Sequence, residues 1–285
     1  MKSPRNALVL LVLLGVLAGE GCVPLATSRL TLPAGQTVVR DQLVVHSDFR
    51  LTASHRLIEE LAARRIDLKN RLGVPLSDEP IHVYLFEDAN RFEAFVRLYY
   101  PEFPPRRAYF LETDTRLEVY AQWGDRVAED LRHEVTHGYL HSVVPNLPLW
   151  LDEGLAEYFE VPRGSRGLNR RHLAELVGRL QLGQWEPDLK RLEAFDRPFD
   201  MTQDDYAEAW AWAHFLLESS PDHGRVLHEY FLALRRHGSA EPISERLSRC
   251  LAEPEAALVE HVERTAAGAD LWPASQGDGA ASVGT

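Results

Sequence analysis

The chain has 285 residues, 45% hydrophobic and 26% charged, the proportions of an ordinary folded protein with one sizeable core or two modest lobes. Its net charge is −12 with no Lys/Arg block or basic stripe, which excludes nucleic acid and anionic membrane surfaces as expected partners. Only two cysteines occur, Cys22 and Cys250, with no Cys-x-x-Cys pattern, so a cysteine-built structural zinc site is excluded too.

Lys2 and Arg5 precede an uncharged apolar run from Ala7 to Gly19, followed by Glu20-Gly21-Cys22. That run is shorter than the roughly 20 residues that cross a bilayer. Residues 1–22 therefore read as a signal peptide, and export from a bacterial cytoplasm to the periplasm or beyond is expected. Cys22 stands where a lipoprotein signal places its modified cysteine, and the arrangement resembles a lipobox. Gly19 and Glu20 depart from it, standing where an aliphatic and a small residue belong. Lipidation of Cys22 with membrane attachment, simple secretion and an uncleaved anchor all stay open. Cys250 is then expected to lack a disulfide partner and to pack among the C-terminal helices.

Residues 23–35, with Pro24, Pro33 and Gly35, read as a tether. Thr37 to Phe49 reads as a strand or hairpin, Leu51 to Leu72 as a helix, and Ile81 to Phe86 as a buried strand. A short helix follows through Tyr99 and is ended by Pro101, Pro104 and Pro105. Tyr109–Leu111 and Leu117–Ala121 are two further strands joined by the polar turn Glu112-Thr113-Asp114-Thr115. Helices are expected from about Val127 to Val143, Leu149 to Glu160, His172 to Leu182, Asp204 to Ser219, Arg225 to His237, Pro242 to Cys250 and Pro254 to Thr265. Strands crowd the first half and helices the second, which predicts an α+β fold. The expected division is an N-terminal mixed-sheet subdomain at 36–125, a helical subdomain at 126–265 and a disordered tail at 266–285.

The helix from Val127 carries His133-Glu134-x-x-His137. Two histidines four apart on a helix lie one above the other, so both imidazoles can reach one metal ion. Glu134 then stands where a zinc-activated water needs a general base. Pro145 and Pro148 bracket a tight connection into the next helix, whose Trp150-Leu151-Asp152-Glu153-Gly154-Leu155-Ala156 offers a carboxylate. In an antiparallel pair at about 1.5 Å rise per residue, Glu153 comes level with His137 and faces both histidines. Glu157 shares its face and is expected to bond the far nitrogen of a ligating histidine. The bland readings are helix-surface histidines and a solvated acid near a helix start, with Glu157 as the substitute ligand. His141 continues the four-residue spacing but lies about 12 Å along the axis from His133, too far to share its ion. A third histidine at position 143 would complete a different zinc pattern, but that residue is Val143.

These residues resemble the gluzincin metallopeptidases, whose third zinc ligand is a downstream glutamate. The Trp-Leu-x-Glu-Gly-x-Ala string is similar to that of aminopeptidase N type enzymes. The run from Pro145 through Glu160 is closer still to the uncharacterised bacterial peptidase MA-like family, with specific likeness over roughly residues 80 to 220. The resemblance implies a zincin-like fold, zinc on His133, His137 and Glu153, and Glu134 as base. It also implies a tyrosine from a later helix as oxyanion donor, for which Tyr206 is the best match. Tyr206, Trp210 and His214 share one helical face, and an aromatic packing stripe is the bland alternative. Leu117–Ala121 corresponds to the edge strand that pairs with an extended peptide in gluzincins, the alternative being an ordinary sheet strand. The gap to Glu153 is shorter than in the aminopeptidases and their Gly-x-Met-Glu-Asn motif is absent, so an aminopeptidase is not expected.

The expected function is that of an exported zinc metallopeptidase acting on peptides or proteins, an endopeptidase in preference. Two alternatives differ in class: an inactive peptidase-like binding protein, and a zinc hydrolase of a non-peptide amide or ester.

Overall fold

The computed structural model describes residues 30–269 and Leu271. The expected signal peptide, Cys22, most of the expected tether and residues 272–285 of the expected tail lie outside the described residues. The protein is α+β, a mixed five-stranded sheet followed by a mainly helical region. Its strands are β1 (Gln36–Arg40), β2 (Leu43–Ser47), β3 (Ile81–Phe86), β4 (Ala108–Thr113) and β5 (Arg116–Gln122), in the order β1-β2-β3-β5-β4. The hairpin pairs β1/β2 and β4/β5 are antiparallel, whereas β2/β3 and β3/β5 are parallel.

The two-residue period of the strands sorts the side chains into two layers. Leu43, Val45, Ile81, Val83, Leu117 and Val119 are buried on one face, under α1 (Arg56–Leu72) and α3 (Val127–His141). Tyr84, Phe86 and Tyr120 point the other way, onto Phe92, Phe95 and Val96 of α2 (Ala89–Tyr99). The sheet order corrects the expected cleft wall. The tight Asp114-Thr115 turn folds β4 back along β5, so β5 lies inside the sheet and β4 is its edge.

The helical region comprises α4 (Leu149–Glu160), α5 (Arg170–Gln181), α6 (Leu189–Glu193), α7 (Gln203–Glu218), α8 (Pro221–His237), α9 (Ile243–Cys250) and α10 (Pro254–Gly268), with a 3₁₀ turn at Pro198–Asp200. Both α6 and the 3₁₀ turn are too short for a periodic pattern to announce them. Trp150, Leu151, Leu155 and Phe159 of α4 are at most 2% exposed. At roughly 1.5–3 kcal/mol per buried side chain, these four anchor α4 far more firmly than surface ion pairs of about 0–1 kcal/mol could. The helix α7 is apolar on nearly every side and is buried as such a helix must be, from Tyr206 through Leu216.

Two glycines let the site helices approach their neighbours. A Cβ on Gly154 would stand 2.4 Å from the Ala209 carbonyl oxygen of α7, and one on Gly138 would crowd the Ile81 side chain of β3. The core they join runs from Val38 to Ala269, so the boundary expected near residue 125 separates element types rather than separate cores.

Three expectations change at the ends of the fold. Residues 31 and 32 of the expected tether are tied down, with Arg91 Nη2 donating to Thr31 O at 2.7 Å and Leu32 packed on the α2 cluster. Residues 266–268, expected in the disordered tail, belong to α10, where the methyl of Ala266 is buried and the helix packs on α5. Cys250, expected to be packed, is exposed at the last position of α9, because the apolar side of that helix is carried by Ile243 and Leu247.

Candidate metal centre

The site grows from the way α3 and α4 are joined. Pro148 enters α4 with extended backbone, and Asn146 takes a left-handed φ of +52° in the connection. Pairings between the helices run His141–Asp152, His137–Glu153 and His133–Glu160, rising on one chain as they fall on the other, so the pair is antiparallel. The end of α4 is fixed from outside: Arg132 donates to Glu160 O, and the buried Arg64 donates to Val161 O at 2.8 Å.

Glu153 Oε2 stands 3.5 Å from His133 Nε2 and 3.7 Å from His137 Nε2. These distances are long for hydrogen bonds, and Glu153 Oε2 is buried with no hydrogen-bond partner. A buried carboxylate oxygen left unpaired is costly. Ligands about 2.0–2.2 Å from a tetrahedral ion stand roughly 3.3–3.6 Å from one another, within about 0.1 Å of the 3.5 and 3.7 Å seen here. The donor set therefore fits a divalent cation, and its N/N/O chemistry suits zinc among others. The three expected ligands thus converge on one point.

Glu134 is buried beside them. Burial raises its carboxyl pKa, the two histidines pull it back, and the Glu153 charge raises it again. Burial opposes protonation of His133, yet Glu153 and Glu160 outweigh it and raise the pKa well above the usual imidazole value. His137 shifts the same way: burial opposes, and Asp152 prevails.

The far nitrogens of the two histidines meet carboxylates, though not the expected one. Asp152 Oδ2 lies 2.9 Å from His137 Nδ1 as an ion-pair contact out of hydrogen-bond alignment, and Glu160 Oε2 is hydrogen-bonded to His133 Nδ1 at 3.2 Å. Glu157 instead bonds His172 Nε2 at 2.8 Å and accepts from Asn169 Nδ2 at 3.3 Å. It sits one turn beyond Glu153, where His172 and Asn169 of the following segment reach it first. Glu160, seven residues after Glu153 and so on the same face, takes the role expected of Glu157 toward His133. Asn169 Nδ2 holds Glu160 Oε1 at 2.9 Å.

His141 has a place of its own. Its Nδ1 meets Glu112 Oε2 at 2.6 Å and its Nε2 meets Asp152 Oδ2 at 2.9 Å. Burial works against its charged form, but the two carboxylates raise its pKa to about 9. The edge strand β4 supplies Glu112, and also Phe110, whose ring stacks on His137 with centroids 5.8 Å apart.

Of the three aromatic-stripe residues on α7, Tyr206 is the one bonded to Arg106. Its hydroxyl accepts from Arg106 Nη2 at 3.3 Å, and its phenol pKa is raised by burial and by the Glu153 charge. Trp210 Nε1 donates to Gly167 O at 2.9 Å, and His214 pairs with His261, both within the helical core. Tyr139 and Tyr158 pack around the helix pair, bonded to Leu61 O and Glu218.

The site includes residues that sequence reasoning missed. Arg106 comes from an irregular loop, where no periodicity could mark it. Asp152 stood in plain sight beside Glu153, and Glu160 was legible as the i+7 partner on the same face. Two cavities, of about 960 and 600 Å³, meet at Arg106, His133 and Glu134.

No curated protein matches this chain. Residues 128–231, which carry most of α3 through most of α8 and hence His133, Glu134, His137, Glu153 and Tyr206, match the model of a family described as a protein of unknown function (DUF1570).

Proposed function

We propose that the protein is an exported, zinc-dependent hydrolase of peptide bonds, of gluzincin type. The observation that supports it most is the buried, unpartnered Glu153 Oε2 at 3.5 and 3.7 Å from two imidazole nitrogens, with Glu134 alongside. His133, His137 and Glu153 would hold the ion. When bound, zinc supplies a Lewis acid that polarises a carbonyl and acidifies water.

The chain's own groups account for the remaining chemistry. Glu134 takes a proton from the attacking water as its oxygen bonds to the carbonyl carbon. The C–N bond then breaks, and Glu134 delivers the proton to the departing nitrogen. Tyr206, with Arg106 behind it, donates toward the carbonyl oxygen as negative charge builds there. Asp152 and Glu160 hold the two imidazoles in the tautomer that leaves Nε2 free. Export follows from the signal-like residues 1–22, with Cys22 as a point of membrane attachment if lipidated.

The test is turnover of casein and a peptide mixture by zinc-loaded wild type and Glu134→Gln. Removing a general base is expected to cost 10²–10⁴-fold. Equal residual activity in the two proteins would end the reading.

A further inference from the structure

The two cavities that meet at Glu134 have walls of opposite chemistry. The one of about 600 Å³ is walled by Phe103, Phe110, Leu147, Leu149, Phe195 and Phe199. Phe199 stands on the 3₁₀ turn at its rim and is 61% exposed, a large aromatic ring facing water beside the site. The cavity of about 960 Å³ is lined by six arginines and six acids, with a few aromatic rings. Three of the arginines are matched by acids: Arg107 by Asp130, Arg126 by Glu129 and Arg132 by Glu60. Arg97 and Arg171 have no carboxylate within ion-pair distance among the described residues, whereas Arg106 is bonded to Tyr206 and faces the Glu153 and Glu134 charges. The deeper acids there are largely engaged, Glu157 with His172 and Glu160 with His133, leaving Glu134 at the junction and Glu93 at the rim as opposing charges. In a chain of net charge −12, two guanidiniums without an acid partner along one cavity run against the overall charge and suit an anion.

We infer that the cleft binds a peptide with a bulky apolar side chain in the Phe-lined cavity and a carboxylate against Arg97 and Arg171, the scissile bond lying between them at Glu134. The inference rests on the hydrolase reading and names the substrate class for it. Burying one large apolar side chain is worth enough to discriminate by ten- to a hundredfold. The carboxylate is either an internal Asp or Glu side chain or the peptide's C-terminus.

The experiment uses zinc-loaded Glu134→Gln protein, which keeps the cleft but not the base. Peptides with Phe or Ser on one side of the central bond and Glu or Lys on the other are titrated in both orders by calorimetry. Free-acid and C-terminally amidated forms separate the two carboxylate sources. The same peptides are offered to wild type, with products read by mass spectrometry. The Phe/Glu peptide should bind at least tenfold tighter than Ser/Lys. Phe199→Asp should abolish the Phe preference, and Arg171→Glu should weaken or invert the Glu preference; both positions are exposed, so the fold is spared. Equal binding of all the peptides would overturn the inference even if wild type cleaves some of them. Graded binding without any cleavage would support the cleft assignment and overturn the hydrolase reading instead.

Discussion

Asp152 Oδ2 lies 2.9 Å from His137 Nδ1, while Glu153, the next residue, faces His137 Nε2 at 3.7 Å. Consecutive carboxylates on α4 thus address opposite nitrogens of one ring. Asp152 is itself held by His141, and its carboxyl pKa lies far below the usual range: burial opposes this, but the two histidines prevail.

Asp152→Asn should weaken zinc binding by roughly 10–100-fold, because a neutral amide replaces the charged carboxylate that fixes the imidazole's tautomer. Competition titration with a chromogenic chelator measures this directly. Unchanged affinity would mean that Asp152 serves only the local packing of α4.

Tyr206→Phe tests the oxyanion role separately from the metal. Zinc content should be unchanged while kcat falls on the order of 10²-fold, with KM little altered. A rise in KM at constant kcat would return Tyr206 to the packing stripe.

Gly154→Ala probes the contact between α4 and α7. Alanine is the better helix former by about 1 kcal/mol. Its methyl would nevertheless press on the Ala209 carbonyl, which belongs to a rigid, buried helix. Overpacking of this kind costs roughly 1–3 kcal/mol, so net destabilisation is expected in denaturant unfolding. A gain in stability would show that the helices part without cost.

His214 Nδ1 and His261 Nε2 are 2.8 Å apart, both buried, joining α7 to α10. Burial lowers the pKa of His214 to about 4. Burial and then the His214 charge lower that of His261 to about 3. In the unfolded chain both titrate near the ordinary value of about 6.5. The neutral pair therefore contributes its full stability above about pH 6.5 and loses it as the pH falls toward 4. A loss on the order of 3 kcal/mol for each histidine is expected over that range. Unfolding midpoints of wild type and His261→Phe, compared between pH 7.5 and 4.5, should diverge in slope. Parallel curves would contradict the assignment.

The sequence reading succeeded where spacing alone dictates geometry. Residues four apart on a helix must share a face, and a proline-bracketed connection must bring Glu153 back to His133 and His137. Most strands and helices were readable for the same reason, since their apolar periods are regular. What escaped depended on long-range placement. Arg106 approaches from a loop a hundred residues before Tyr206, and nothing local announces that meeting. Glu157 and Glu160 are equally plausible partners by periodicity. The choice between them is made by Asn169 and His172, which lie beyond α4. The edge position of β4 was hidden because strand order is set by how the hairpin docks on β3 rather than by the composition of either strand.

The central claim is a single ion at the meeting point of α3 and α4. An anomalous difference map recorded at the zinc edge from zinc-loaded crystals tests it most directly. One peak is predicted within bonding distance of His133 Nε2, His137 Nε2 and a Glu153 oxygen. No peak there, or a peak held instead by His137, His141 and Asp152, would contradict it.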